Sequence, residues 1–184
     1  FRMSVYGIRL FQEYGGKVYS PLFNNILWNS EIQQAECQKV LRIYNHLPHT
    51  GVPGDNCMCG FYASWTLKDM FESANSDQGN AMLGYHFLGI GLVEAFGKII
   101  VHERGFKSEY MQIVGFLRAT AKTDGLRSAD TGRKLFGFPI ITVAHSKMSL
   151  DLDMDYGIRC ARAIGVRMFD IESAENLLLQ TVIP

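Results

Sequence analysis

Tyr85-His-Phe-Leu-Gly-Ile-Gly-Leu-Val-Glu-Ala-Phe96 is apolar almost throughout, with Gly84, Gly89, Gly91 and Gly97 in or beside it, and it runs into Lys98-Ile-Ile-Val-His102-Glu103-Arg104-Gly105. β-Branched and aromatic side chains broken by repeated glycine read as strand with bends or bulges, hence as part of a curved sheet. Lys98–Glu103 is a strand closed by Arg104-Gly105, and Phe106 to Leu117 continues extended or as a short helix. This stretch makes the chain a sheet protein before anything else is considered.

Outward from it, Val5-Tyr-Gly-Ile-Arg-Leu-Phe11 places Tyr6, Ile8 and Leu10 on one parity, as a half-buried strand requires. Gly15-Gly16 followed by Lys17–Phe23 predicts a hairpin. Ser30 with Gln33, and Ile32, Ala35, Val40 and Ile43 behind them, predicts a helix over 31–44. Residues 45–60 are dense in Pro, Gly and Asn and read as a loop. A helix is predicted over 61–72, with Tyr62 and Trp65 facing the core, where Ile100 and Ile141 are also placed. The basic stretch 118–134 reads as a loop or linker, 138–144 as a strand, 155–164 as a helix capped by Gly165, and 166–169 as a strand. A last helix, capped by Ser173, runs to about Gln180. The expected fold is α+β: a curved, mostly antiparallel sheet packed on one or two helices in a main domain at 1–117, with a small β-α-β-like extension at 135–184.

Of the 184 residues, 47% are hydrophobic, enough for one sizeable core and against wholesale disorder. Eighteen basic residues cancel eighteen acidic ones, so nothing attracts the chain globally to phosphate backbones or anionic membranes. The basic stretch 118–134 also lacks interleaved aromatics, and no apolar run is long enough to span a bilayer. No nucleic-acid or membrane partner is expected. Four cysteines are too few for a disulfide scaffold, and Phe1-Arg2-Met3 opens no signal-peptide pattern, so thiols and a cytoplasmic location are expected.

The chemistry concentrates in two segments. In Pro53-Gly-Asp-Asn-Cys57-Met-Cys59-Gly60, a helix starting near Phe61 would aim its unpaired N–H groups at both thiols. That pattern fits packed core cysteines, a metal ligand set or a reactive thiol. Zinc would need further donors, for which His46, His49 and Cys37 are near in sequence, although C-x-C is not the usual C-x2–4-C spacing. His102-Glu103 is the second segment; on a strand its two side chains face opposite ways and do not form one acid–base pair. Asp151, Asp153 and Asp155 alternate as if on one strand face, but they do not follow a calcium-loop pattern. No dinucleotide or phosphate-binding glycine motif and no serine nucleophile elbow is present, so no cofactor is expected.

Tyr6-Gly7-Ile8-Arg9, Tyr19-Ser20-Pro21, Trp28, Ala35-x-Cys37, Cys57-x-Cys59-Gly60-Phe61-Tyr62-Ala63 and Gly91-x-Val93…Gly97…His102-Glu103-x-Gly105-Phe106-Lys107-x-Glu109 occur in that order. The set resembles a family of small uncharacterised proteins of actinobacteria and their phages, over roughly residues 5–117. The C-x-C-G-[IF]-Y-A segment is its most specific part, and the chain departs at Phe61, Ala95-Phe96 and Lys107-Ser108. The resemblance implies no reaction; a phage origin would point to a protein that meets a host factor or a defence signal.

The leading expectation is a non-catalytic module that binds a protein or a small ligand. Its site is His49, Cys57, Cys59, His102, Glu103 and Lys107, where the 45–60 loop meets the 102–109 turn, and no metal is assigned to it. Two alternatives stay open. One is an enzyme with Cys57 or Cys59 as nucleophile and His102 or His49 as base; the other is a structural zinc protein.

Overall fold

The computed structural model describes residues 4–21, 26–37, 51–75, 87–123, 128–135, 138–143, 148–152 and 155–180. Its centre is a long antiparallel hairpin of β6 (Phe87–His102) and β7 (Gly105–Thr123), turning at Glu103-Arg104. The glycine-rich half of β6 is where the pairing slips, with register shifts between Gly89 and Gly91, Leu92 and Val93, and Phe96 and Ile99. Each slip bends the strand and increases its twist. The expected curved sheet is present, and the chain is α+β with mostly antiparallel pairing.

The curvature closes the sheet. β1 (Val5–Tyr14) pairs with β6 from Val5–Ala95 to Phe11–Gly89, and β5 (Phe61–Ser64) pairs with β7. An Ile8–Ser64 bridge then joins β5 back to β1. The free edge of β7 accepts four short segments in turn. They are β5 at Gly105–Ser108, β4 (Gln33–Gln34) at Tyr110–Met111, β11 (Arg167–Phe169, parallel) at Gly115–Leu117, and β10 (Met148–Asp151) at Thr120–Thr123. β2 (Lys17–Tyr19) forms the expected hairpin with β1. Its turn residues Gly15 and Gly16 have φ of 59° and 74°, the left-handed pair that a tight two-residue hairpin demands. β3 (Leu27–Trp28) extends this hairpin, and β8 (Ser128–Leu135) pairs with β9 (Phe138–Val143) in a separate two-stranded sheet.

Along Leu88–Val93 both faces of the central hairpin are buried, whereas its turn end is exposed at Gly97, Lys98, Val101 and His102. One core holds Phe11, Trp28, Phe61, Val93, Phe106 and Phe116, with Cys160 and Ala161 of α2 (Asp155–Ile164) packed on it. The other holds Ile8, Leu88, Ile90, Leu92 and Leu117, covered by Met70 of α1 (Leu67–Ala74) and Ala174 of α3 (Ile171–Leu179). α2 and β11 therefore share the core of the sheet that precedes them, and Gly165 ends α2 at φ 72°.

Several expectations are corrected. Residues 61–72 are not one helix: Phe61 and Ala63 are buried on alternate positions of a strand, and the helix starts only after Thr66. The Thr66 hydroxyl accepts the Asp69 N–H at 3.0 Å and caps α1. Tyr62 is 42% exposed rather than core, while Trp65 and Ile100 are half-buried. The side chain of Ile141 lies outside the described residues. Residues 31–37 hold a two-residue strand in place of a helix start, because Gln33 and Gln34 pair with Met111 and Tyr110; residues 38–44 lie outside the described residues. The charged stretch 118–134 is strand at 118–123 and 128–135 rather than linker. Asp170, not Ser173, caps α3. Asp151 ends β10 opposite Thr120, its carboxylate 3.7 Å from the Lys122 ammonium, and Asp155 opens α2, so the two share no strand face; Asp153 lies outside the described residues.

Candidate metal centre

The site grows from Lys107. In β7 it sits between Tyr62 of β5 and Ile100 of β6, on the outward face of the sheet. Such a position normally sends an ammonium into water. Here the 51–60 loop folds over it and leaves it 3% exposed. Its Nζ donates to Gly54 O at 2.6 Å and Cys57 O at 2.7 Å, with Asp55 O at 3.4 Å. One cation thus gathers the carbonyls of the loop by charge-assisted hydrogen bonds. No carboxylate among the described residues forms an ion pair with it.

Gly60 completes the seat. Its φ is 112°, which L side chains rarely adopt, and a Cβ there would stand 2.9 Å from the Pro53 side chain. The glycine lets the loop turn back onto β7 immediately before β5 begins. Val52–Pro53 is cis.

This turn brings three sulfurs together. Cys37, carried past β4 on a segment tied to β7 by the Ala35 N–H to Glu109 O bond of 2.8 Å, lies with its Sγ 3.7 Å from that of Cys57. The sulfurs of Cys37, Cys57 and Cys59 are all within 4.8 Å of one another. Cys59 is buried and its Sγ accepts the Gly54 N–H at 3.2 Å. Burial pushes the Cys37 thiol up to about 11, helped by its hydrogen bond with Cys57 and by the nearness of Cys59. Burial also raises the Cys59 thiol, against the lowering pull of the Gly54 N–H. None of the four cysteines is in a disulfide.

An all-sulfur set selects soft cations over calcium or magnesium. Around tetrahedral zinc, with Zn–S near 2.3 Å, neighbouring sulfurs stand about 3.8 Å apart. The Cys37–Cys57 spacing meets that requirement.

Of the residues expected to form the site, Cys57, Cys59 and Lys107 converge. His102 is exposed at the end of β6, and its ring lies nearly parallel to that of Tyr62, with centroids 6.5 Å apart. Burial raises the Tyr62 phenol, helped by the nearby Cys59 and Cys57. Glu103 is exposed in the β6–β7 turn. His49, with His46, lies outside the described residues. Cys37, considered only as a zinc donor, belongs at the centre; its signal was Ala35-x-Cys37 upstream of the C-x-C pair.

Beside this centre, Arg9, Ser20 and Trp28 form one cluster. Arg9 donates to Tyr62 O at 2.6 Å and Ser20 Oγ at 2.9 Å, and Trp28 Nε1 donates to the same hydroxyl at 2.8 Å. Burial lowers the guanidinium to about 10. The cluster ties β1 and the β2–β3 hairpin to β5, the strand that follows the C-x-C pair.

No protein-family model, curated protein or solved structure matches the chain. Among the described residues no helix is long and apolar enough to cross a membrane.

Proposed function

We propose that this chain is a non-catalytic binding domain built around a structural zinc site, with Cys37, Cys57 and Cys59 as thiolate donors. The observation that carries the reading is the convergence of three sulfurs from two distant segments, two of them at 3.7 Å. The buried Lys107 supports it by charge: a divalent cation with three thiolates is a monoanion, and one ammonium beside it balances the site. The cation would fasten the 26–37 segment and the 51–60 loop to the sheet, giving a rigid surface for a protein or small-ligand partner. A nucleophilic cysteine needs a depressed thiol pKa, whereas burial raises that of Cys59, one of the two candidate nucleophiles, so the enzyme reading has the weaker support.

Elemental analysis of the purified, reduced full chain tests the proposal. One zinc per chain is expected, lost on substituting any of the three cysteines by serine. Cobalt substitution should give the intense sulfur-to-metal charge-transfer bands of a thiolate site, and His46→Ala and His49→Ala read whether either histidine is the fourth donor. A chain that takes up no zinc in excess, with all thiols reduced, overturns the reading.

A further inference from the structure

The three sulfurs are not equivalent. Cys59 is buried and held by the Gly54 N–H, whereas Cys37 and Cys57 are half-buried, with their sulfurs 3.7 Å apart. A disulfide needs its sulfurs about 2.0 Å apart, so this pair must close by roughly 1.7 Å. Cys57 and Cys59 stand two positions apart in the chain, too close for an unstrained mutual bridge. Cys160 is fully buried against Gly89 and Phe116, remote from any oxidant in water.

We propose that the centre is a peroxide-sensitive switch in which oxidation joins Cys37 to Cys57 and expels the cation. This rests on the zinc reading above. One of the two thiolates attacks hydrogen peroxide, breaking the O–O bond, becoming a sulfenic acid and releasing hydroxide. The other thiolate attacks that sulfur, forming the S–S bond and expelling a second hydroxide. The two thiolates lose two electrons and the peroxide gains them. The cation, left with Cys59 as its one thiolate, leaves to solvent. Before oxidation the cation joins the Cys37 segment to the 51–60 loop; afterwards the disulfide does, and Cys59 alone is released.

The experiment treats the zinc-loaded full chain with hydrogen peroxide, follows released zinc with a chromogenic chelator, and maps cysteines by peptide mass spectrometry. One zinc released per Cys37–Cys57 disulfide, with Cys160 still a thiol and zinc binding restored by dithiothreitol, is the expected result. Zinc retained under peroxide overturns the switch and leaves the zinc site standing. Zinc released with a Cys57–Cys59 bridge, or with sulfinic or sulfonic acids in place of Cys37–Cys57, also overturns it. A chain that holds no zinc at the outset ends both readings, and the elemental analysis made before oxidation tells that case from the others.

Discussion

Lys107→Met keeps the apolar stem of the side chain and removes its ammonium. The Gly54 and Cys57 carbonyls, bonded at 2.6 and 2.7 Å, lose their donor, while Asp55 O at 3.4 Å was barely held. Each buried carbonyl left without a partner costs about 1–3 kcal/mol, so two cost about 2–6 kcal/mol. Removing a buried cation offsets part of that and brings the expected loss to about 2–4 kcal/mol. For a chain of this size each kcal/mol lowers the melting temperature by about 2–4 °C, which predicts a fall of roughly 5–15 °C. Melting should be followed with chelator present and again at saturating zinc. The same variant should bind zinc more weakly, because the loop that carries Cys57 and Cys59 loses its anchor. A melting point unchanged within error would show that Lys107 does not hold the loop, and the account of the seat would fall with it.

Gly60→Ala should destabilise by about 1–3 kcal/mol through its left-handed backbone alone, with the Pro53 clash added, and should weaken zinc binding; a neutral variant in chemical unfolding would refute the assignment. Burial pushes the Cys160 thiol up to about 12. The folded state then keeps its proton where the unfolded chain, near 8.5, loses it, so this stability is intact at neutral pH and lost as pH rises. Roughly 1–2 kcal/mol should be gone by pH 10, and Cys160→Ala should flatten that alkaline decline in pH-dependent unfolding; an unchanged slope would count against it.

What could be read from the residues was mostly what depends on near neighbours. Gly15-Gly16 between extended runs announced the first hairpin, and the glycines of 84–97 announced the curvature. The helix over 61–72 failed because the 3–4 spacing of Tyr62 and Trp65 competed with the parity of Phe61 and Ala63, and two waiting strand edges favoured parity. The Thr66-x-x-Asp69 cap was legible and marks the true helix start. Lys107 illustrates the opposite limit. A lysine on a strand reads as solvent-facing, and its burial comes from a loop some 50 positions upstream. Cys37 joined the centre for the same reason: its place is set by β4 pairing with Tyr110 and Met111, a contact no local pattern encodes.

The arrangement along β7 has a consequence for synthesis. β1 finds its partner in Gly89–Ala95 of β6, some 80 residues further along the chain. At roughly 5–20 residues per second, the newborn β1–β2 hairpin waits several seconds with Phe11 and Leu10 uncovered. Once the β6–β7 hairpin emerges it can zip from its own two-residue turn, and it then presents one edge to β1 and the other to β5, β4 and finally β10 and β11. The last strands made, at Met148–Asp151 and Arg167–Phe169, dock on the half of β7 farther from that turn. Interrupting translation before β7 should therefore leave a sticky, unclosed sheet edge rather than a smaller folded unit.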